Sequence, residues 1–157
     1  MKKFTKVLGS MLSILAVFYF ADPCFAQEGA TKGECVAKVE EAAGLVRKIG
    51  LQPALEKFMD KNGPYNWKDS YVFCMDDDVG KLLAHPLSRY IGFPMKTFKD
   101  ADGKQPFAKV IEEIKTKKKG WVQYYYRPSG ADIPKLKIVY YLKIPEEKAI
   151  LCAGYYE

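Results

Sequence analysis

The stretch GWVQYYYRPSG (residues 120–130) continues as ADIPKLKIVYYL (131–142). Two aromatic, β-prone runs flank a segment rich in Pro, Gly and Asp, the signal of an antiparallel hairpin. Side chains alternate faces along a strand. Leu136, Ile138, Tyr140 and Leu142 therefore form one apolar set, expected to meet a helix. Lys137, Val139 and Tyr141 face the other way. If Tyr126 opposes Lys135, then Tyr124 opposes Lys137, and all four share that second side. The long connection leaves this register loose, and a one-residue slip would invert every face.

Outward from the hairpin, the chain has the length of one domain: 157 residues, 48% hydrophobic and 14% aromatic. That composition excludes intrinsic disorder. The first 26 residues read apart from the fold. Lys2, Lys3 and Lys6 precede the uncharged run 7–21, which is shorter than the roughly 20 residues that span a bilayer. Cys24-Phe25-Ala26 then precedes Gln27. This is the pattern of a secretory signal cleaved after Ala26. Acylation of Cys24 as a lipoprotein and an uncleaved membrane anchor are the alternatives. Removing three lysines and one aspartate lowers the net charge from +6 to +4. Export separates that mild basicity from nucleic acid, which is therefore not expected as a partner.

The rest reads as α+β. Thr31-Lys32-Gly33-Glu34 fits a capping box. Val39, Ala42, Ala43, Val46 and Ile49 recur at helical spacing after it. Gly50 suits the helix end, and Pro53 the first turn of a second helix bearing Leu55, Phe58 and Met59. A single bent helix is the alternative. YVFCM (71–75) and KLLAH (81–85) form a first hairpin around Asp76-Asp77-Asp78, a solvated turn that lacks the spaced ligands of a calcium loop. Residues 87–104 lack periodicity, but their aromatics are expected to fold down over something. Gln105-Pro106 opens a third helix with the stripe Phe107, Val110, Ile111, Ile114. Lys115 and Lys117–Lys119 are expected to crowd its last turn, complementing the helix dipole. AILCAGYY (149–156) is a last strand.

Across these pieces the mature chain resembles a single Cache domain, the PAS-like extracytoplasmic sensor family, and especially its stand-alone exported members. The resemblance is carried by Gly63-Pro64, Tyr71-Val72-Phe73, Gly80 with Ala84-His85-Pro86, and Asp102-Gly103-Lys104. It continues with Gly120-Trp121-Val122-x-Tyr124, Lys137-x-x-Tyr140 and Gly154-x-Tyr156, over residues 33–157. It implies one domain at 27–157, with a long N-terminal helix on a five-stranded antiparallel sheet of order 2-1-5-4-3. It also implies a ligand site between the sheet and the segment crossing it, for a small organic acid or amino acid. In that strand order Cys74 and Cys152 lie on neighbouring strands, where a disulfide is one option; Cys35 competes for either.

The residues themselves choose the pocket. Phenols and one ammonium around a semi-apolar hollow suit a carboxylate, whose charge is paired and whose desolvation is offset by hydrogen bonds. The expected ligand set is Tyr124, Tyr126, Lys137 and Tyr141, joined by His85 from the second strand and Arg89 from the loop. No metal or cofactor is expected. With the chain ending after its last strand, output is expected through a membrane receptor or kinase partner, and a homodimer through the N-terminal helix is a further option. Two other readings remain: a partner-binding protein without a small ligand, and an enzyme pairing Cys74 with His85.

Overall fold

The computed structural model describes residues 28–127 and 132–157. The expected signal peptide and the hairpin tip at 128–131 lie outside the described residues. Helix α1 (Lys32–Ile49) starts at the expected capping box: Thr31 Oγ1 accepts from the Glu34 amide at 3.2 Å, and Glu34 Oε2 accepts from the Thr31 amide at 2.8 Å. Gly50, at φ +84°, ends α1 and starts α2 (Leu51–Met59). Two helices therefore meet at a glycine rather than forming one bent helix. Ile49 and Met59, expected on the apolar faces, are exposed at the two helix ends.

The strands are β1 (Asn66–Trp67), β2 (Ser70–Asp76), β3 (Leu82–Ala84), β4 (Lys119–Tyr126), β5 (Lys135–Ile144) and β6 (Ala149–Tyr156). They form one antiparallel sheet in the order β3–β2–β6–β5–β4, with the two-residue β1 also pairing with β2. Apart from β1, this is the expected five-strand order. Tyr124 pairs with Lys137 and Tyr126 with Lys135, the register supposed from the sequence, in which these four residues share a face.

Both sheet faces are covered, which is why β2 and β6 read as continuous apolar runs. On one face α1 and α2 bury Cys35, Val39, Val46 and Phe58 against Val72, Cys74, Tyr140 and Leu151. On the other, α3 (Pro106–Glu113) buries Phe107, Val110 and Ile111 against Val139, Tyr141 and Cys152. Each such large side chain contributes roughly 1.5–3 kcal/mol on burial.

Two expectations fail here. Helix α3 ends at Glu113, so the lysine run lies beyond it; Lys119 and Gly120 already belong to β4. The lysines therefore do not complement the helix dipole. Gly120 has a packing role instead: a Cβ there would collide with the Tyr141 ring and hydroxyl. The cysteines also diverge. Cys152 pairs with Phe73, one register position from Cys74, and alternation sends the two thiols to opposite faces. Cys35, Cys74 and Cys152 are all free and buried.

Candidate ligand cavity

Residues 87–104 form a strap across the α3 face of the sheet. Two 3₁₀ turns, Ser88–Tyr90 and Met95–Thr97, give it local order. Backbone bonds tie it down at both sides. The Leu82 amide donates to the Phe93 carbonyl at 2.9 Å, and the Met95 amide to the Gly80 carbonyl at 2.9 Å. Gly80 sits at φ +68°, and a Cβ there would stand 3.3 Å from that of Met95. Across the sheet, the Ala101 amide donates to the Tyr125 carbonyl on β4 at 3.0 Å.

Beneath this strap lies a cavity of about 170 Å³. The strap supplies Tyr90, Phe93, Met95 and Phe98. The sheet supplies Tyr71, Phe73, Tyr124, Tyr126 and Lys137, and Leu82 and His85 close the β3 end. A cavity of roughly 150 Å³ accommodates benzene, so the space suits a molecule of about that size.

Lys137 is the cation of this cavity. Its side chain is 2% exposed, yet among the described residues it forms no ion pair with a carboxylate. Nζ donates to the Tyr71 hydroxyl at 3.2 Å. It also lies 4.6, 5.0 and 5.6 Å from the ring centres of Tyr71, Tyr156 and Tyr126. These ring faces and one hydrogen bond stand where a buried lysine ordinarily has an acid.

His85 is 7% exposed, with its ring edge-on to Tyr71 and Tyr90 at 4.7 and 5.0 Å. Nδ1 accepts from the Leu87 amide at 3.0 Å, which leaves the proton of the neutral ring on Nε2. Burial, and next the charge of Lys137, depress its pKa to about 4. Burial also pushes the Tyr71 phenol up to about 12 and that of Tyr124 well above its usual value. At neutral pH the cavity thus holds one neutral imidazole, protonated phenols at Tyr71 and Tyr124, and no acidic side chain among its lining residues.

Of the six ligand residues expected from sequence, the cavity brings together Tyr124, Tyr126, Lys137 and His85. Tyr141 has the right parity but lies under α3, where its hydroxyl donates to Glu113 Oε2 at 2.5 Å. Arg89 lies outside the cavity; its guanidinium packs on the Tyr90 ring at 4.9 Å and donates to the Tyr90 hydroxyl at 3.2 Å. Tyr71, Phe73 and Leu82 were missed. In YVFCM every position is apolar or aromatic, so alternation could not tell which side chains face the cavity. Tyr90, Phe93, Met95 and Phe98 were visible only as a cluster of apolar residues in an aperiodic loop. The imagined Cys74–His85 pair does not form: Cys74 packs into the α1 side and His85 lines the cavity on the other.

A helix-covered antiparallel sheet with a strap-covered cavity is the architecture of a PAS-like sensing domain. The chain belongs to the family described as single Cache domain 2, whose model matches residues 34–157. A Cache chemosensory domain solved for the structural basis of its carboxylic acid recognition is similar at TM-score 0.66 and 24% identity, over 79% of this chain and 91% of its own. A methyl-accepting chemotaxis protein from Vibrio parahaemolyticus is similar at TM-score 0.63 and 18% identity, over 80% and 87% of the two chains. The periplasmic sensor domain of a chemotaxis protein gives 0.58 at 18% identity, over 77% and 86%. At these identities the likeness establishes a shared fold. No curated protein matches the sequence. Cache domains are extracytoplasmic sensor domains. Among the described residues no helix is long and apolar enough to cross a membrane.

Proposed function

We propose that this protein is an exported sensor that binds a small monocarboxylate with an apolar tail in the strap-covered cavity and passes occupancy on to a membrane receptor or kinase. The observation that carries this reading is Lys137: a cation 2% exposed, without a carboxylate partner among the described residues, beside an apolar cavity. A ligand carboxylate supplies the missing counter-charge. Tyr71, whose oxygen accepts from Lys137, keeps its own proton to donate, as does His85 through Nε2. The aromatic and thioether walls take the tail.

Among the two ligand classes expected from sequence, the lining favours the organic acid. An amino acid brings an ammonium, and no acidic side chain lines the cavity to receive it. Leaving that charge unpaired in an apolar space costs several kcal/mol. A dicarboxylate would leave its second charge against aromatic walls.

Binding rather than turnover fits the cysteines. A nucleophilic cysteine works as thiolate. Burial instead pushes Cys74 up to about 12 and Cys35 up to about 11, and raises Cys152 strongly.

Calorimetric titration of the purified protein with propionate, alanine and succinate tests the reading. Propionate is expected to bind at least roughly 100-fold more tightly than the other two, a difference of about 2.7 kcal/mol. Absence of binding by any short monocarboxylate would sink it.

A further inference from the structure

Tyr124, Lys137 and Tyr156 form one rung of the sheet across β4, β5 and β6. Tyr124 lines the cavity and Tyr156 does not. Yet the centre of the Tyr156 ring is only 5.0 Å from Lys137 Nζ, nearer than that of Tyr126 at 5.6 Å. Directly opposed side chains on neighbouring antiparallel strands interact, and an aromatic face attracts a cation through its quadrupole.

The path of the lysine points the same way. Lys137 leaves β5 but bonds to Tyr71 on β2, and β6 lies between those strands. Its stem must therefore cross β6. It does so at Gly154, where a Cβ would stand 3.2 Å from Lys137 Cε and 2.6 Å from Val139 Cγ2. Gly154 and Tyr156 share a face, two residues apart. The glycine leaves room for the stem, and the tyrosine flanks the ammonium.

We propose that Tyr156 is a positioning residue for the cavity's cation: it holds the Lys137 ammonium at the place where a carboxylate meets it, and so sets ligand affinity without touching the ligand. This rests on reading the cavity as a carboxylate site. Lysine has four rotatable carbon–carbon bonds; the bond to Tyr71 and the rings of Tyr71 and Tyr126 restrain its ammonium, and the Tyr156 ring adds a further face from β6. Tyr156 narrows the remaining motion before the ligand arrives, which lowers the ordering cost of binding. The ring face, with its centre 5.0 Å from Nζ, is what flanks the cation.

The test is titration with propionate of wild type, Tyr156→Met, Tyr156→Phe and Lys137→Met, with the unliganded melting temperature of each. Tyr156→Met fills similar volume without a π face and is expected to weaken binding roughly tenfold, the range of a desolvated cation–π contact. Tyr156→Phe is expected to restore affinity to within about threefold of wild type. In Lys137→Met, adding Tyr156→Met is expected to change propionate binding no further. A second measurement compares the Lys137 Hε resonances of wild type and Tyr156→Met. The rings of Tyr71, Tyr126 and Tyr156 all shift them, so the part due to Tyr156 is the change on removing its ring, which a tyrosine acting on fold stability alone does not produce. Wild-type protein that takes up no propionate overturns the carboxylate reading and this inference with it. Wild-type binding that Tyr156→Met leaves unchanged, or Lys137 Hε resonances that Tyr156→Met does not move, overturns this inference alone.

Discussion

The Lys137 ammonium donates to the Tyr71 hydroxyl at 3.2 Å and lies 4.6 Å from the centre of the same ring. Tyr71 is thus both acceptor and π face for a cation that, among the described residues, pairs with no acid. The arrangement keeps the charge in place yet unneutralised, and leaves the phenol proton for a second acceptor. Such a site is costly to stability and suited to an anionic ligand.

Stability and binding should therefore separate at Lys137. Lys137→Met removes a desolvated charge while filling similar volume, so the unliganded melting temperature should stay level or rise. Affinity for propionate should fall at least roughly 30-fold, the ~2 kcal/mol of a charge-assisted contact. Calorimetry and thermal melts on the same samples check both halves.

Tyr71 and Tyr141 should respond in opposite ways to loss of their hydroxyls. Tyr141→Phe removes the bond to Glu113, which holds that carboxyl below its usual pKa. It should cost about 1–2 kcal/mol in denaturant unfolding and leave ligand affinity unchanged. Tyr71→Phe removes a donor at the cavity and should weaken propionate binding several-fold.

His85 predicts an acid-side loss of stability. Its folded pKa is about 4, below the 6.5 of an unperturbed imidazole. Between those values the unfolded chain binds the extra proton, so stability falls as pH drops from about 6.5 toward about 4. The full difference is on the order of 3 kcal/mol. Denaturant midpoints measured across this window should decline in wild type and flatten in His85→Gln.

At Gly120, alanine should act as overpacking. The new methyl meets Tyr141, which is held between α3 and the sheet and has nowhere to retreat. Gly120→Ala is expected to cost about 1–3 kcal/mol, read from denaturant unfolding.

Thiol accessibility separates the free-cysteine arrangement from a bridged one. With Cys74 and Cys152 on opposite faces and Cys35 buried in the α1 side, none should react with a thiol reagent in the native protein. All three should react on unfolding, with or without prior reduction. A thiol that appears only after reduction would show a bridge.

Which features were legible in the chain follows from the range of the interactions behind them. The capping box at Thr31 and the alternation of Lys137 against Tyr140 and Leu142 are set within a few residues, and each matched; Leu136 and Ile138, expected with them against the helix, are only half-buried and stay outside that core. The lysine run at 115–119 misled because charge near a helix end fits the dipole rule, while the competing pull of strand pairing from Lys119 is invisible locally. The helix side could be told from the cavity side in β5, where lysines mark one face. It could not in β2, where every residue is apolar because both faces are covered.

The sequence by itself determined the α+β order of elements and the alternation that sets Tyr124 with Tyr126 on one face of β4 and Lys137 with Tyr141 on one face of β5. Those follow from period-two side-chain alternation. Which face of β4 joins which face of β5 depended on the register across the long connection, and the strand pairing decided it. Only the tertiary structure decided that Tyr141 lies under α3, that Arg89 stays outside, that the cysteines part to opposite faces, and that Lys137 crosses β6 at Gly154 to reach Tyr71. Parity assigns a side chain to a face. Where on that face it ends depends on which helix, strap or missing Cβ lies above it, and those neighbours are brought together from far along the chain.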